Sequence, residues 1–418
     1  MGAWAPRLAA PRTTLQLALR LRGEMAKKGK GKGKEKGGKG KGKGKGKKGA
    51  EPEPEPKDPL KEIKRFAETY EVACRSYAVP PLESVLDQIK KWKNPNEDGE
   101  LVLSPFFVCA DPRLDALHTK AIAETLQEFD HIRQVAFFAA AVSDEGLTTL
   151  VDVIKTNKLK SLELVNAAVH APGMQVLSNV LRTNASLKSL TLDHNQLGND
   201  GARALVSELR WNFGLTVLSL KYCEIGPEGA AAIGTFLLGS AQSKVQNLSL
   251  QGNPLGDKGL IGLAGRPDGT TSWVDAEMPD TASKGLMANK HLTELDLRDV
   301  QLSMVEESGM RALGNMLQVN TTLGMIDLRM NQLGDLAGQI LIQALPPLGT
   351  ATGIKYIHLS ERMKRDLFDG VYAALADNRG GGKGKKGKKG KGGKKGGKKV
   401  SDSILPSLHV QVVEHPIC

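Results

Sequence analysis

LKSLTLDHNQLGNDGARALVSELRWNFGLTVLSLKYCEIGPEGAAAIGTFLLGSAQSKVQNLSLQGNPLGDKG, residues 187–259, writes one template three times. Each copy opens on an apolar triplet with the spacing L-x-x-L-x-L: Leu187, Leu190, Leu192; Leu215, Leu218, Leu220; Val245, Leu248, Leu250. Three residues on stands Asn195, Cys223 or Asn253. Two further come Leu197, Ile225 or Leu255, each followed by Gly198, Gly226 or Gly256. Self-similarity at a fixed spacing, here 28 and then 30 residues, marks a repeat architecture. The alternating apolar residues bury one side of a short strand. A buried Asn, or a small Cys, satisfies or fills the turn where backbone groups leave the ladder. Gly201, Gly229 and Gly259 precede Ala-rich runs such as ARALVSEL, whose apolar residues recur at helical spacing. One unit is strand, turn, helix. It has nothing of its own to cover its apolar face, so units must stack.

Outward from this stretch the template continues in weaker form. Further triplets stand at Ile132, Val135, Phe137; at Leu159, Leu162, Leu164; at Leu292, Leu295, Leu297; at Leu323, Ile326, Leu328; and at Ile354, Ile357, Leu359. A degenerate first unit starts at LVLSPFFV (101–108). The 47 residues between Val245 and Leu292 exceed one unit, which predicts an insertion at about 265–290 carrying Trp273. Upstream, Leu60, Ile63, Phe66, Ala67 and Tyr70 fall on one helical face, and Pro80 and Pro81 separate them from a second helical stretch ending at Trp92. Residues 60–99 therefore read as a helical cap over the bare end of the stack, with Tyr77 and Trp92 packed on the first unit. A last helix with Phe368, Val371 and Leu375 closes the other end, so the stack spans 100–378.

The turn position reads Ala167, Asn195, Cys223, Asn253, Val300, Asn331, an alternation of Asn with non-Asn residues. With the long, helix-bearing unit, this resembles the ribonuclease-inhibitor-like subclass of leucine-rich repeats, over about residues 100–375. The resemblance implies an α/β fold: a right-handed horseshoe solenoid with a parallel concave sheet and outer helices. The Lys/Gly start, the cap YEVACRSYAVPPLESVL and the unit LSLKYCEIG together resemble leucine-rich-repeat proteins of cilia and flagella.

Charge divides the chain. Residues 25–49 hold twelve Lys and one Glu, residues 379–399 ten Lys and one Arg, and residues 1–24 four Arg and one Glu. These segments carry +25 of a total of +12, which leaves −13 for the rest. An acidic body stands between basic tails. Residues 25–59, a Lys/Gly run followed by EPEPEPKDP, and the Lys/Gly tail 379–400 read as disordered, since repelling Lys and entropic Gly bury nothing. Residues 1–24 read either as an organelle transit peptide or as an extension upstream of a natural start at Met25. The C-terminal peptide 401–418 alternates apolar and polar residues, as a strand that docks back or a partner-binding peptide does. Cys74, Cys109, Cys223 and Cys418 form no C-x-x-C pair and suit free thiols in a reducing compartment. No apolar run approaches the ~18 residues of a membrane span.

Motifs for chemistry are missing from the sequence. The G-x-G and G-K strings of the tails never complete a phosphate-binding loop after a strand. Neither a metal site nor a cofactor is expected, and the protein is expected not to be an enzyme. The remaining candidate is a surface. Between the buried Leu residues, Glu163, Thr191, Ser219, Ser249, Asp296, Asp327 and His358 make one ladder along the concave face, and Val165, Asp193, Lys221, Gln251, Arg298, Arg329 and Ser360 make the next. Tyr222 and His194 stand one step beyond. The interleaved Asp and Arg of the last units either clamp a polar partner or neutralise each other. Trp273 is a second candidate anchor. The expected partners are a protein on the concave face and, for the tails, an acidic polymer such as tubulin tails, or RNA through its phosphates. The expected role is a scaffold in the cytoplasm or a cilium, or in an organelle if residues 1–24 are a transit peptide. The alternatives are a regulator of an enzyme, similar to Ran GTPase-activating proteins or ribonuclease inhibitors, and an RNA- or ribosome-associated protein.

Overall fold

A computed structural model describes residues 58–96, 99–156, 158–265, 285–303, 307–345 and 353–378. The basic tails, the C-terminal peptide and Trp273 lie outside the described residues.

Each triplet forms a short strand: β1 (Phe106–Cys109), β2 (Gln134–Phe138), β3 (Ser161–Val165), β4 (Ser189–Thr191), β5 (Val217–Ser219), β6 (Asn247–Ser249), β7 (Glu294–Asp296), β8 (Met325–Asp327) and β9 (Tyr356–His358). They make one open, parallel sheet in chain order. Leu162, Leu190, Leu218, Leu248, Leu295, Ile326 and Ile357 stand in one row across it, all buried. The repeated Leu spacing sets this register, because a slip of one residue would turn every Leu to the solvent face.

Behind the sheet run the helices that return the chain: α3 (Ala116–Gln127), α4 (Ser143–Lys155), α5 (Ala171–Leu181), α6 (Gly198–Leu209), α7 (Pro227–Ala232, continued by a π-helical turn over Ile233–Leu238), α8 (Gly256–Ala264), α9 (Gly285–Ala288), α10 (Ser308–Val319), α11 (Asp335–Ala344) and α12 (Arg365–Asn378). Gly229 shows why small residues open these helices. A Cβ there would stand 2.7 Å from Ile225 and 2.8 Å from Asn199, so only Gly lets turn and neighbouring helix touch.

The alternation of Asn at the turn has a physical basis. Asn195 sends Oδ1 into the preceding unit, where it accepts from the Ala167 and Val169 amides, and its Nδ2 donates to the Leu164 and Leu192 carbonyls. Asn253 does the same for Cys223 and Ile225, and Asn331 for Val300 and Leu302. One side chain thus serves two turns, and the unit before it needs no Asn of its own. Side chains near the turns also support the unit after their own. Asn199 accepts from the Gly226 and Gly229 amides at the start of α7, and Asp257 from the Ser303 and Gly309 amides before and within α10. Asp144 does so for α5, and Asp335 for the Lys364 amide just ahead of α12. These are helix N-caps supplied across a unit boundary. The backbone alternates too. Positive φ falls two residues apart in one kind of turn (Asn166 and Ala168, Tyr222 and Glu224, Asp299 and Gln301). It falls four apart in the other (Ala139 and Ser143, His194 and Gly198, Gly252 and Gly256).

Before β1 stand α1 (Pro59–Ser76) and α2 (Glu83–Trp92). Ile63, Phe66 and Tyr70 are buried, and the Phe66 ring meets Trp92 at 5.0 Å and Phe129 at 4.9 Å. Leu60, expected on that face, is 41% exposed, because it lies in the first turn of α1, ahead of the packed stretch. Tyr77 reaches the first unit through a hydrogen bond to Glu124 on α3. At the far end Val371 and Leu375 of α12 are buried and Phe368 is half-buried.

Candidate functional site

The strand residues between the buried Leu positions are presented as two polar rows. In the first row Glu163, Thr191, Ser219, Ser249, Asp296, Asp327 and His358 stand directly opposite one another. Apart from Val165, the last residue of β3, the second row lies just past the strand ends, where the ladder still continues: the Asn166 amide donates to the Asp193 carbonyl, His194 to Lys221, Tyr222 to Gln251, Gly252 to Arg298 and Asp299 to Arg329.

The charges on the later units are spent on each other. The Arg298 guanidinium holds Asp296 at 2.7 Å and reaches Asp327 at 3.6 Å, and Arg329 holds Asp327 at 2.6 Å. Burial alone would push the Asp296 carboxyl up. The bonds and charge of Arg298, with the Ser249 hydroxyl at 2.9 Å, together hold it below the usual carboxylate range. The bond to Asp296 in turn raises the Arg298 guanidinium. Asp296, Arg298, Asp327 and Arg329 thus form an alternating chain of paired charges; the open clamp considered from the sequence is closed upon itself. Asp193 is likewise committed, accepting from the Ser219 hydroxyl at 2.6 Å and the Lys221 amide at 2.9 Å.

The middle units differ. His194 and Tyr222 sit at the left-handed turn position, φ 60° and 52°, which lifts their side chains onto the rim above the sheet. Their rings stack at 4.8 Å with planes 12° apart. The Tyr222 hydroxyl accepts from Gln251 Nε2 at 3.0 Å, and the other side of the ring rests on Gly252, where a Cβ would come within 2.1 Å. Tyr222 is still 37% exposed. Beside the pair lies a groove of about 550 Å³, lined also by Asn166, His170, Gln196 and Glu224. The sequence points to Tyr222, His194 and the turn residue Asn195, but not to Asn166, Ala168, His170, Gln196 or Glu224, which stand in turns of the same and neighbouring units. The row of left-handed positions, 139, 166, 194, 222, 252, 299 and 330, would have located the rim had its backbone been known.

Burial pushes the Cys223 thiol up to about 12 and that of Cys109 up to about 11, which keeps both protonated and unreactive. Cys223 donates to the Leu192 carbonyl at 3.2 Å, so it works as a turn residue. Among the described residues no group of three or more His, Cys, Asp or Glu is placed to hold a metal ion, and no helix is long and apolar enough to cross a membrane.

The family model for the Leucine Rich repeat matches residues 183–206, 212–234 and 241–264, the stretch in which the template is clearest. These three segments are leucine-rich repeats. No curated protein sequence matches the chain. Solved structures similar to this leucine-rich-repeat chain include three of low identity. The leiomodin-1 actin-binding site 2 is 15% identical, with TM-score 0.27, over 47% of this chain and 84% of that one. The complex of TLR13 with ssRNA13 is 15% identical, with TM-score 0.35, over 64% of this chain and 34% of that one. An internalin, inlF, from Listeria monocytogenes str. 4b F2365 is 13% identical, with TM-score 0.33, over 75% of this chain and 95% of that one. At these scores the likeness says nothing of what the leucine-rich repeats of this chain bind.

Proposed function

We propose that the protein is a non-enzymatic scaffold that holds a protein partner on its concave face and the rim above it. Leucine-rich repeats serve protein–protein interaction in general, and an extended concave wall is what a solenoid offers. The observation that carries the reading is the half-exposed His194–Tyr222 stack beside its groove, on a face whose later units pair their Asp and Arg side chains with each other. A partner meeting that face gains an aromatic anchor, the residue type on which binding energy concentrates.

The finer parts of the proposal rest on charge and on the pattern of units. Two tail segments of +11 flank the acidic body, which suits tethering to an acidic polymer such as the tubulin tails of an axonemal microtubule, in the cytoplasm or a cilium. The alternating turns favour the ribonuclease-inhibitor-like subclass and, with it, a second reading as a regulator of an enzyme. Co-pelleting of the full chain with microtubules and with RNA, across a salt series, tests the tether. Binding to microtubules that is lost in a chain of residues 50–378 supports it, whereas equal pelleting of both chains, or pelleting with RNA alone, overturns it. Tyr222→Ala in the full chain tests the rim: a bound protein partner should dissociate at least about tenfold faster. Stimulated GTP hydrolysis by a small GTPase, or inhibition of a ribonuclease, would replace the scaffold by the second reading.

A further inference from the structure

The loops that return the chain from each helix to the next strand differ in charge from the turns at the other ends of the strands. Residues 155–160, 182–188, 210–216 and 239–246 hold seven Lys and Arg and not one carboxylate. The turns and helix starts 139–145, 193–201, 221–229 and 251–259 hold seven carboxylates against Lys221 and Lys258. Helix dipoles favour cations beside helix C-termini, which accounts for Lys155, Arg182 and Arg210. Lys160, Lys188 and Lys244 lie five, seven and six residues past the last helical residues Lys155, Leu181 and Leu238. A dipole effect that fades within the last turn does not reach them.

Three cations of this edge form a row. The Lys160 amide donates to the Arg133 carbonyl at 2.7 Å, Lys188 to Lys160 at 2.8 Å and Thr216 to Lys188 at 2.9 Å. These positions therefore stand side by side at the strand spacing of about 4.8 Å. Arg133, Lys160 and Lys188 are exposed. The carboxylates nearest in the chain pair with other cations: Asp130 with Lys158, Asp152 with Lys155 and Glu208 with Arg182. Lys188 Nζ donates to the Ala185 and Gly214 carbonyls at 3.1 Å each, which fixes the ammonium in place and leaves its charge. Gly214 lets the two loops touch, since a Cβ there would stand 2.9 Å from Ala185. One residue before it, Phe213 is 61% exposed, whereas the Trp211 ring has Arg210 over it at 5.0 Å. The positions equivalent to Phe213 carry Ala185 in the loop before and Ser243 in the loop after. The charges are thus joined by one open apolar anchor, and no track of rings is present on which successive bases would stack.

We propose that this edge is a second docking surface, separate from the concave face and its rim, for an acidic peptide segment of a partner protein. The segment lies extended, with carboxylates on Arg133, Lys160 and Lys188 and one apolar side chain on Phe213. From Arg133 to Thr216 is three strand spacings, about 14 Å, which four or five extended residues span at about 3.4 Å each. The acidic turns opposite repel such a segment, so its approach is steered to the return loops.

Fluorescence anisotropy tests this with the full-length protein and two labelled peptides, Glu-Glu-Glu-Leu-Glu-Glu and the same peptide with Gly for Leu. The basic tails attract both alike, so the preference between them reports the edge. The Leu peptide should bind at least about threefold tighter, and Phe213→Ala should abolish that preference. Lys160→Glu should weaken the Leu peptide at least about threefold. Lys258→Glu, the same charge change on an exposed residue at the start of α8, should leave its affinity as it was. Equal binding of the two peptides to the unaltered protein, or equal losses in Lys160→Glu and Lys258→Glu, would overturn the proposal. So would an oligouridine strand that binds the unaltered protein and loses affinity in Phe213→Ala, which would assign the edge to single-stranded RNA. None of these results bears on the scaffold reading, because the rim around Tyr222 takes no part.

Discussion

At the N-terminal end of the solenoid two helices cover the apolar face and a side-chain amide covers the strand edge. At the C-terminal end, among the described residues, one helix, α12, covers the face and no strand pairs with the outer side of β9. The difference is one of chemistry as well as size. The first end is built around rings, Phe66 against Trp92, Phe107 and Phe129, whereas the far end closes on Val371 and Leu375. A stack in which each unit touches only its neighbours opens from whichever end is held less firmly. The two ends should therefore differ in how far damage spreads.

The largest effect is expected at the ring cluster. Phe66→Ala should cost about 3–5 kcal/mol in urea denaturation, with exchange rising first in β1 and β2. If β9 loosened before β1 in that variant, the ring cluster would not be what holds the N-terminal end. Next comes Asn331→Ala, which strips the Val300 and Leu302 amides of their acceptor. The expected loss is about 2–3 kcal/mol, since buried groups left unpaired carry the full desolvation cost. It should appear as fast exchange in β7 to β9 with β1 to β3 unchanged; a uniform rise along the stack would erase the contrast between the ends. Gln88→Ala removes the amide from the β1 edge and makes the first edge resemble the last. About 1–2 kcal/mol should be lost, with the Val108 amide exchanging faster.

The smallest effect follows from pH. Asp296 is held below the ordinary carboxylate value, near 3.9 in model peptides, so its contribution is complete above that value and fades as pH falls through the lower folded one. Between about pH 5 and pH 3, exchange in β7 and β8 should rise in the unaltered protein and rise less in Asp296→Asn. At the other end Asp111, whose carboxyl burial raises and Arg113 lowers to a net value below the ordinary one, gives the same sign. Acid should thus loosen both ends, and a response confined to one would show that the other pair contributes nothing.

Most of the architecture was legible because burial forces it. Leu162 through Ile357 read as one row from spacing alone, and they stand as one row. The first polar row followed from the same alternation. What the sequence did not disclose depends on reach across units. Asn184, Asn212, Asn289 and Asn320 stand three residues before the first Leu of a triplet, and each binds a carbonyl at the end of the helix one unit earlier. That N-x-x-L spacing stands in the sequence but becomes meaningful only once the units are stacked. The mutual pairing of Asp296, Arg298, Asp327 and Arg329 was one of two open possibilities, since the same residues on the same face serve either. The groove beside Tyr222 depends on left-handed backbone at Asn166, His194 and Tyr222, none of them glycine, so composition gave no sign of it.

The turn asparagines also constrain how such a chain can change length. Asn195 and Asn253 stand 58 residues apart, and each supplies the module ahead of it. A duplication of one module would set two recipients in a row with a single donor between them and strand the amides of the first. Gain or loss of a whole couplet leaves every loop supplied. Between Ala167 and Asn331 the wall can therefore grow or shrink by couplets with every such loop still supplied.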